Sequence, residues 1–112
     1  MKMTEGELWP EVFGASPDYW GWLQIEFVTG DWDVPGEALV TVIDVEQPGS
    51  PVIMSQVILP SDLMAAAEYC VRAGYRDTCT GTPISLDRTF QWDACSADTV
   101  LQMAVLGEVM FS

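Results

Sequence analysis

Histidine is absent from this sequence, and only Lys2, Arg72, Arg76 and Arg88 carry positive charge. Without histidine there is no Ser-His or Cys-His nucleophile pair and no imidazole base poised near neutral pH, and the commonest transition-metal ligand is missing. With four cations the chain is poorly equipped to bind nucleic acid or an anionic membrane directly, because each phosphate contact asks for a cation. No run approaches the roughly 18 apolar residues of a membrane span, and the opening text MKMTEGELWPE has no apolar signal core, so neither insertion nor export is expected. The stretches PGSP and TGTP lack the glycine spacing and lysine of a phosphate-binding loop. Cysteine is sparse and odd in number. Cys70, Cys79 and Cys95 have no CxxC spacing, so neither a zinc site nor a complete disulfide framework is expected; Cys79 reads as a free loop thiol, and a reduced, cytoplasmic setting fits.

What is present is acid. Seventeen Asp and Glu give the 112 residues a net charge of -13, beyond the magnitude of roughly 2 to 8 that solubility asks of a small domain. Twelve of these acids fall between Met1 and Glu68 against Lys2 alone, a net of -11, whereas Tyr69 to Ser112 carries five against three Arg, a net of -2. The chain is also 49% hydrophobic, with five Trp, four Phe and three Tyr spread among well-separated carboxylates. A disordered acidic tail would be poor in aromatics and would run its charges in blocks, so the acidity belongs to a folded surface. The expectation is a single compact acidic domain over 1–112, with 1–18 an irregular N-terminal lead-in from which Phe13 tucks into the core.

Periodicity supplies the elements. WGWLQIEFV alternates from Trp20 to Val28, with Leu23, Ile25 and Phe27 on one face and Trp22, Gln24 and Glu26 on the other, which predicts a half-buried strand. A loop, TGDWDVPG, precedes a β-branched run that predicts a second strand over about Ala38 to Glu46. After the breaker QPGSP, the nearly continuous apolar text VIMSQVIL reads as a third, central, doubly covered strand ending at Pro60. PSDLMAAAEYCVRAGY predicts the main helix: Ser61 caps it, Asp62 lies in its first turn, and Gly74 ends it. Leu63, Ala66, Ala67 and Cys70 recur on its core face, with Val71 packing beside them, and Glu68 and Arg72 stand four apart. ISLDRTFQW alternates as a fourth strand, with Ile84, Leu86, Phe90 and Trp92 on one face. The last segment, SADTVLQMAVLGEVMFS, admits a helix capped by Ser96 or a hairpin returning along strand four, and the hairpin is favoured. The class that follows is α+β: an antiparallel or mixed sheet of about five strands with one main helix on one face, in the order β-β-β-α-β-β.

The densest group of candidate residues is the loop Thr29 to Ala38. Asp31-x-Asp33 with Gly36 at the sixth position resembles the start of an EF-hand loop, but Pro35 replaces the fifth-position ligand and Val42 stands where the twelfth-position Glu belongs, so no metal or cofactor is expected. Asp31 and Asp33 project to opposite sides if extended and make no convergent catalytic pair. The bland reading of the neighbouring aromatics is core or edge cover. The sharper one is an interface, since aromatic anchors rimmed by charge are the substance of hot spots. On that reading Asp18, Glu26, Asp31, Asp33, Glu37, Asp44 and Glu46 contribute charge, and Trp22 and Trp32 are the anchors. The expected partner is a basic protein. Composition points to a small acidic inhibitor, of the kind that phages use against restriction, CRISPR nucleases or uracil-DNA glycosylase, whose carboxylates imitate nucleic-acid phosphates. An immunity protein against a cationic toxin, or an assembly subunit with its C-terminal segment covered by a neighbour, are the alternatives; no enzyme activity is expected.

Overall fold

The computed structural model describes residues 2–111. Helix α1, Glu5–Phe13, is followed by strands β1, Leu23–Thr29, β2, Glu37–Ile43, and β3, Val52–Ile58, and then by helices α2, Pro60–Ala73, and α3, Ala94–Leu106. The class is α+β, as the patterns predict, but among the described residues the sheet has three antiparallel strands in the order β1-β2-β3, not about five, and three helices replace the single one.

Each departure has a physical reason. The supposed lead-in holds α1, whose N-terminus is closed by a reciprocal capping box: the Glu7 amide donates to Thr4 Oγ1 at 3.2 Å and the Thr4 amide donates to Glu7 Oε1 at 2.9 Å. Leu8, Trp9, Val12 and Phe13 bury one face of this helix. The last segment is a helix, not half of a hairpin; it starts at the Asp93 N-cap, whose carboxylate accepts from the Ser96 amide at 2.8 Å, so Ser96 sits one turn inside. Ten of the residues of α3 are buried, and a helix covered on all sides has no polar face to reveal its period. With that segment helical, Ile84–Trp92 has no strand to pair with. Its Ile84 and Leu86 still point inward, held by isolated bridges Arg76 to Pro83 and Lys2 to Asp87.

β3 is an edge strand, not a central one, and six of its seven residues are exposed. The core face of the sheet is carried by Leu23, Ala38, Val40, Val42 and Ile58. Helix α2 keeps its predicted face and its left-handed Gly74 terminus, but its N-cap is Leu59, with Pro60 in the first turn and Asp62 accepting the Leu59 amide at 2.9 Å. Val71 is exposed, and Glu68 pairs with Lys2 at 2.7 Å. Cys79 is bonded to Cys95, which ties the loop after α2 to the start of α3, so only Cys70 is a free thiol. Among the described residues no helix is long and apolar enough to cross a membrane.

Candidate protein-binding face

The two faces of the sheet differ in what covers them. α3 packs on the face of Val40 and Val42, whereas Gln24, Glu26 and Val28 on β1 remain exposed on the other, beside half-buried Leu39 and Thr41. A shallow depression of about 310 Å³ lies there, lined by Gln24, Glu26, Leu39 and Thr41. Glu26 stands opposite Leu39 in the ladder, and Glu37 opens β2. The β1-β2 loop closes one end of this face, and the turn after Ile43, with Asp44 and Glu46, closes the other.

The β1-β2 loop is built, not loose. Trp9, fully buried in α1, donates its indole N–H to the Asp31 carbonyl at 2.8 Å, which fastens the loop to the helix layer. The Asp31 carboxylate accepts the amides of Asp33 and Val34, both at 2.8 Å, and Thr29 Oγ1 accepts the Glu37 amide at 3.0 Å. Gly30 has φ +71°, and a Cβ there would lie 2.3 Å from the Val34 carbonyl, so only glycine fits. The consequence is a division of labour. Asp31 spends its carboxylate on the turn, while Asp33 is exposed beside Trp32, whose ring lies over Gly14 and remains 52% exposed. Trp32, Gly14, Ser16, Asp18 and Phe13 together line a cleft of about 290 Å³.

The predicted anchor Trp22 is not on the open face. Its indole N–H donates to Asp98 Oδ1 at 2.7 Å, and its ring is stacked between Trp20 and Phe111, with centroids 5.8 and 5.6 Å away. Trp20 and Tyr19 are the exposed members of this group. Asp98 is the residue that sequence reading missed. Only 2% exposed and without a cation, it accepts from Trp22 and from Gln102 Nε2 at 3.0 Å, and burial pushes its carboxyl up to about 6. Gln102 in turn donates to the Phe111 carbonyl and accepts the amides of Met110 and Phe111, so one buried side chain pins the segment after α3 back onto that helix. The i, i+4 spacing of Asp98 and Gln102 would have revealed the pair had the segment been read as a helix.

Three of the four cations are engaged elsewhere. Lys2 pairs with Glu68, Arg88 with Glu7, and Arg76 donates to the Gly81 carbonyl. Among the described residues, no ion pair reaches Asp18, Glu26, Asp31, Asp33, Glu37, Asp44 or Glu46. Burial raises the Cys70 thiol to about 11, which suits packing and not nucleophilic attack. No group of three or more Cys, Asp or Glu among the described residues is arranged to hold a metal ion. No family model, no curated protein and no solved structure matches this chain.

Proposed function

We propose that this chain is a small acidic inhibitor that occupies the nucleic-acid-binding groove of a basic enzyme, with the open face of the sheet and its two acidic ends standing in for phosphates. The observation that carries the reading is that seven carboxylates on this face and in the loops flanking it form no ion pair among the described residues, although Lys2 and Arg88 pair with acids elsewhere. Unneutralised charge of this kind destabilises a monomer and steers association with a basic surface. Glu37 and Asp44 bound β2, seven residues apart, so the acidic ends lie about 24 Å from each other at about 3.4 Å per residue. That is close to the rise of roughly seven base pairs.

Trp32 is the anchor; Tyr19 and Trp20 form a second exposed aromatic group, in which Trp22 stacks against Trp20 from behind. The fastened β1-β2 loop lowers the ordering cost of binding. Such a target would be met in the cytoplasm, a compartment in which a bond such as that between Cys79 and Cys95 is uncommon. The loop they join has further ties, since Asp77 accepts from the Cys79 and Thr80 amides and from the Thr80 hydroxyl. The same face would serve an immunity protein that neutralises a cationic toxin, and the identity of the captured protein separates the two.

The test is capture from a bacterial lysate on the immobilised chain at low and at moderate salt. Retention of one basic nucleic-acid enzyme, weakened by salt and displaced by added DNA or RNA, is the expected result. Recovery only of neutral or acidic proteins whose retention ignores salt would overturn the proposal.

A further inference from the structure

The sheet has two edges, and only one of them carries charge. β1 carries Glu26 at its middle and a register irregularity between Phe27 and Thr29, both of which discourage another strand from pairing. β3 has a register irregularity of its own, where Ile53 is skipped between the Met54 and Val52 pairs, but it carries no charge along VIMSQVI. No charged residue occurs from Gln47 to Ser61, a neutral stretch of 15 residues in a chain of net charge -13. Val52 is 62% exposed, and Ile53, Met54 and Val57 are exposed with it. Among the described residues β3 pairs only with β2, which leaves its outer backbone amides and carbonyls without strand partners.

From this edge we infer that two copies of the chain join β3 to β3 about a two-fold axis, forming one continuous six-stranded antiparallel sheet. The occupant follows from charge. A basic partner gains nothing from the one neutral stretch of an acidic surface, whereas two copies that repel each other everywhere else can approach only there. The sequence of β3 is also self-complementary. With the axis at Ser55, Ile53, the residue skipped at the irregularity, comes opposite the partner's Val57, and Met54 lies opposite the partner's Gln56 on the helix side. The Ile53 and Val57 pairs are apolar, the type that stabilises a ladder. On the helix side the Met54 and Gln56 pair borders a groove of about 460 Å³ between β3, α2 and α3, lined by Gln56, Ala66, Tyr69 and Met103. The join leaves Glu26, Asp33 and Glu46 uncovered, so it is independent of the inhibitor reading and would present the acidic face twice.

Sedimentation equilibrium of the full chain at about 20 and 500 mM salt tests it. The expected result is a dimer that tightens several-fold at the higher salt, because screening relieves repulsion between two acidic copies. That sign is opposite to the salt response of the target complex, so either idea can fail without the other. Ile53→Glu with Val57→Glu should weaken the dimer roughly tenfold or more, since it sets like charges across the seam, while Val28→Glu on β1 leaves it intact. Circular dichroism checks that these exposed substitutions keep the fold. A monomer at every concentration and salt, a dimer indifferent to the β3 substitutions, or an open polymer in place of a dimer would each overturn the inference.

Discussion

Asp98 and Asp33 carry the same charge in one chain, and the fold treats them in opposite ways. Asp98 lies inside the helix layer, where Trp22 and Gln102 hold both of its oxygens. Asp33 lies in the β1-β2 loop at one end of the sheet, exposed, with its neighbour Asp31 holding the turn. The interior uses a carboxylate as an acceptor and bears the cost of its charge. The open face keeps charges that its own architecture does not use. That contrast is why the face, and not the buried network, is the candidate for partner binding.

The largest expected effect is on the buried side. The Asp98 carboxyl ionises near 3.8 when unfolded and at about 6 when folded. The folded chain therefore holds the proton more tightly. Its stability is greatest below about 4, falls as pH rises toward about 6, and stays lower by about 3 kcal/mol at neutral pH, at about 1.4 kcal/mol per pH unit. Asp98→Asn removes this dependence. Chemical denaturation of both proteins at pH 4 and 7.5 should show wild type losing about 2.5 kcal/mol more than the variant between the two conditions, part of the effect being already lost at pH 4. Equal losses would mean that Asp98 is solvated.

A smaller effect is expected within the β1-β2 loop. Asp31→Ala leaves the Asp33 and Val34 amides without their acceptor and should lower stability by about 1 kcal/mol, while Asp31→Asn, which keeps an oxygen there, should lose less than half of that. Thermal melts of the two variants decide it. Equal losses from Asn and Ala would assign the effect to charge and blur the distinction from Asp33.

The parts of the molecule that the sequence made legible are those with one wet face. β1 alternates because one side of it is exposed, and α2 shows its stripe because Ser61, Asp62 and Glu68 face outward. α3 was opaque for the opposite reason, since burial on all sides erases the period that separates a helix from a strand. β3 misled because an apolar run is the mark of a covered strand, and here it lies on an exposed edge. α1 has a legible start, since Thr4-x-x-Glu7 is a capping-box signature, but Pro10 within the helix obscures it. At the site, the acidic residues and Trp32 were legible from composition and loop chemistry. The inward turn of Trp22 was not, because it depends on Asp98, a partner 76 residues away.

The smallest expected change in stability and the most direct test of the central claim come from one variant, Glu26→Lys with Asp33→Lys and Glu46→Lys. These three side chains are exposed and without ion pairs among the described residues, so their reversal should leave unfolding within about 0.5 kcal/mol of wild type. Association of this variant with the captured basic enzyme, measured by stopped-flow or surface plasmon resonance at low salt, should slow by on the order of tenfold to a hundredfold, with inhibition lost in parallel. An association rate and an inhibition unchanged by reversing all three charges would contradict the assignment of this face as the interface.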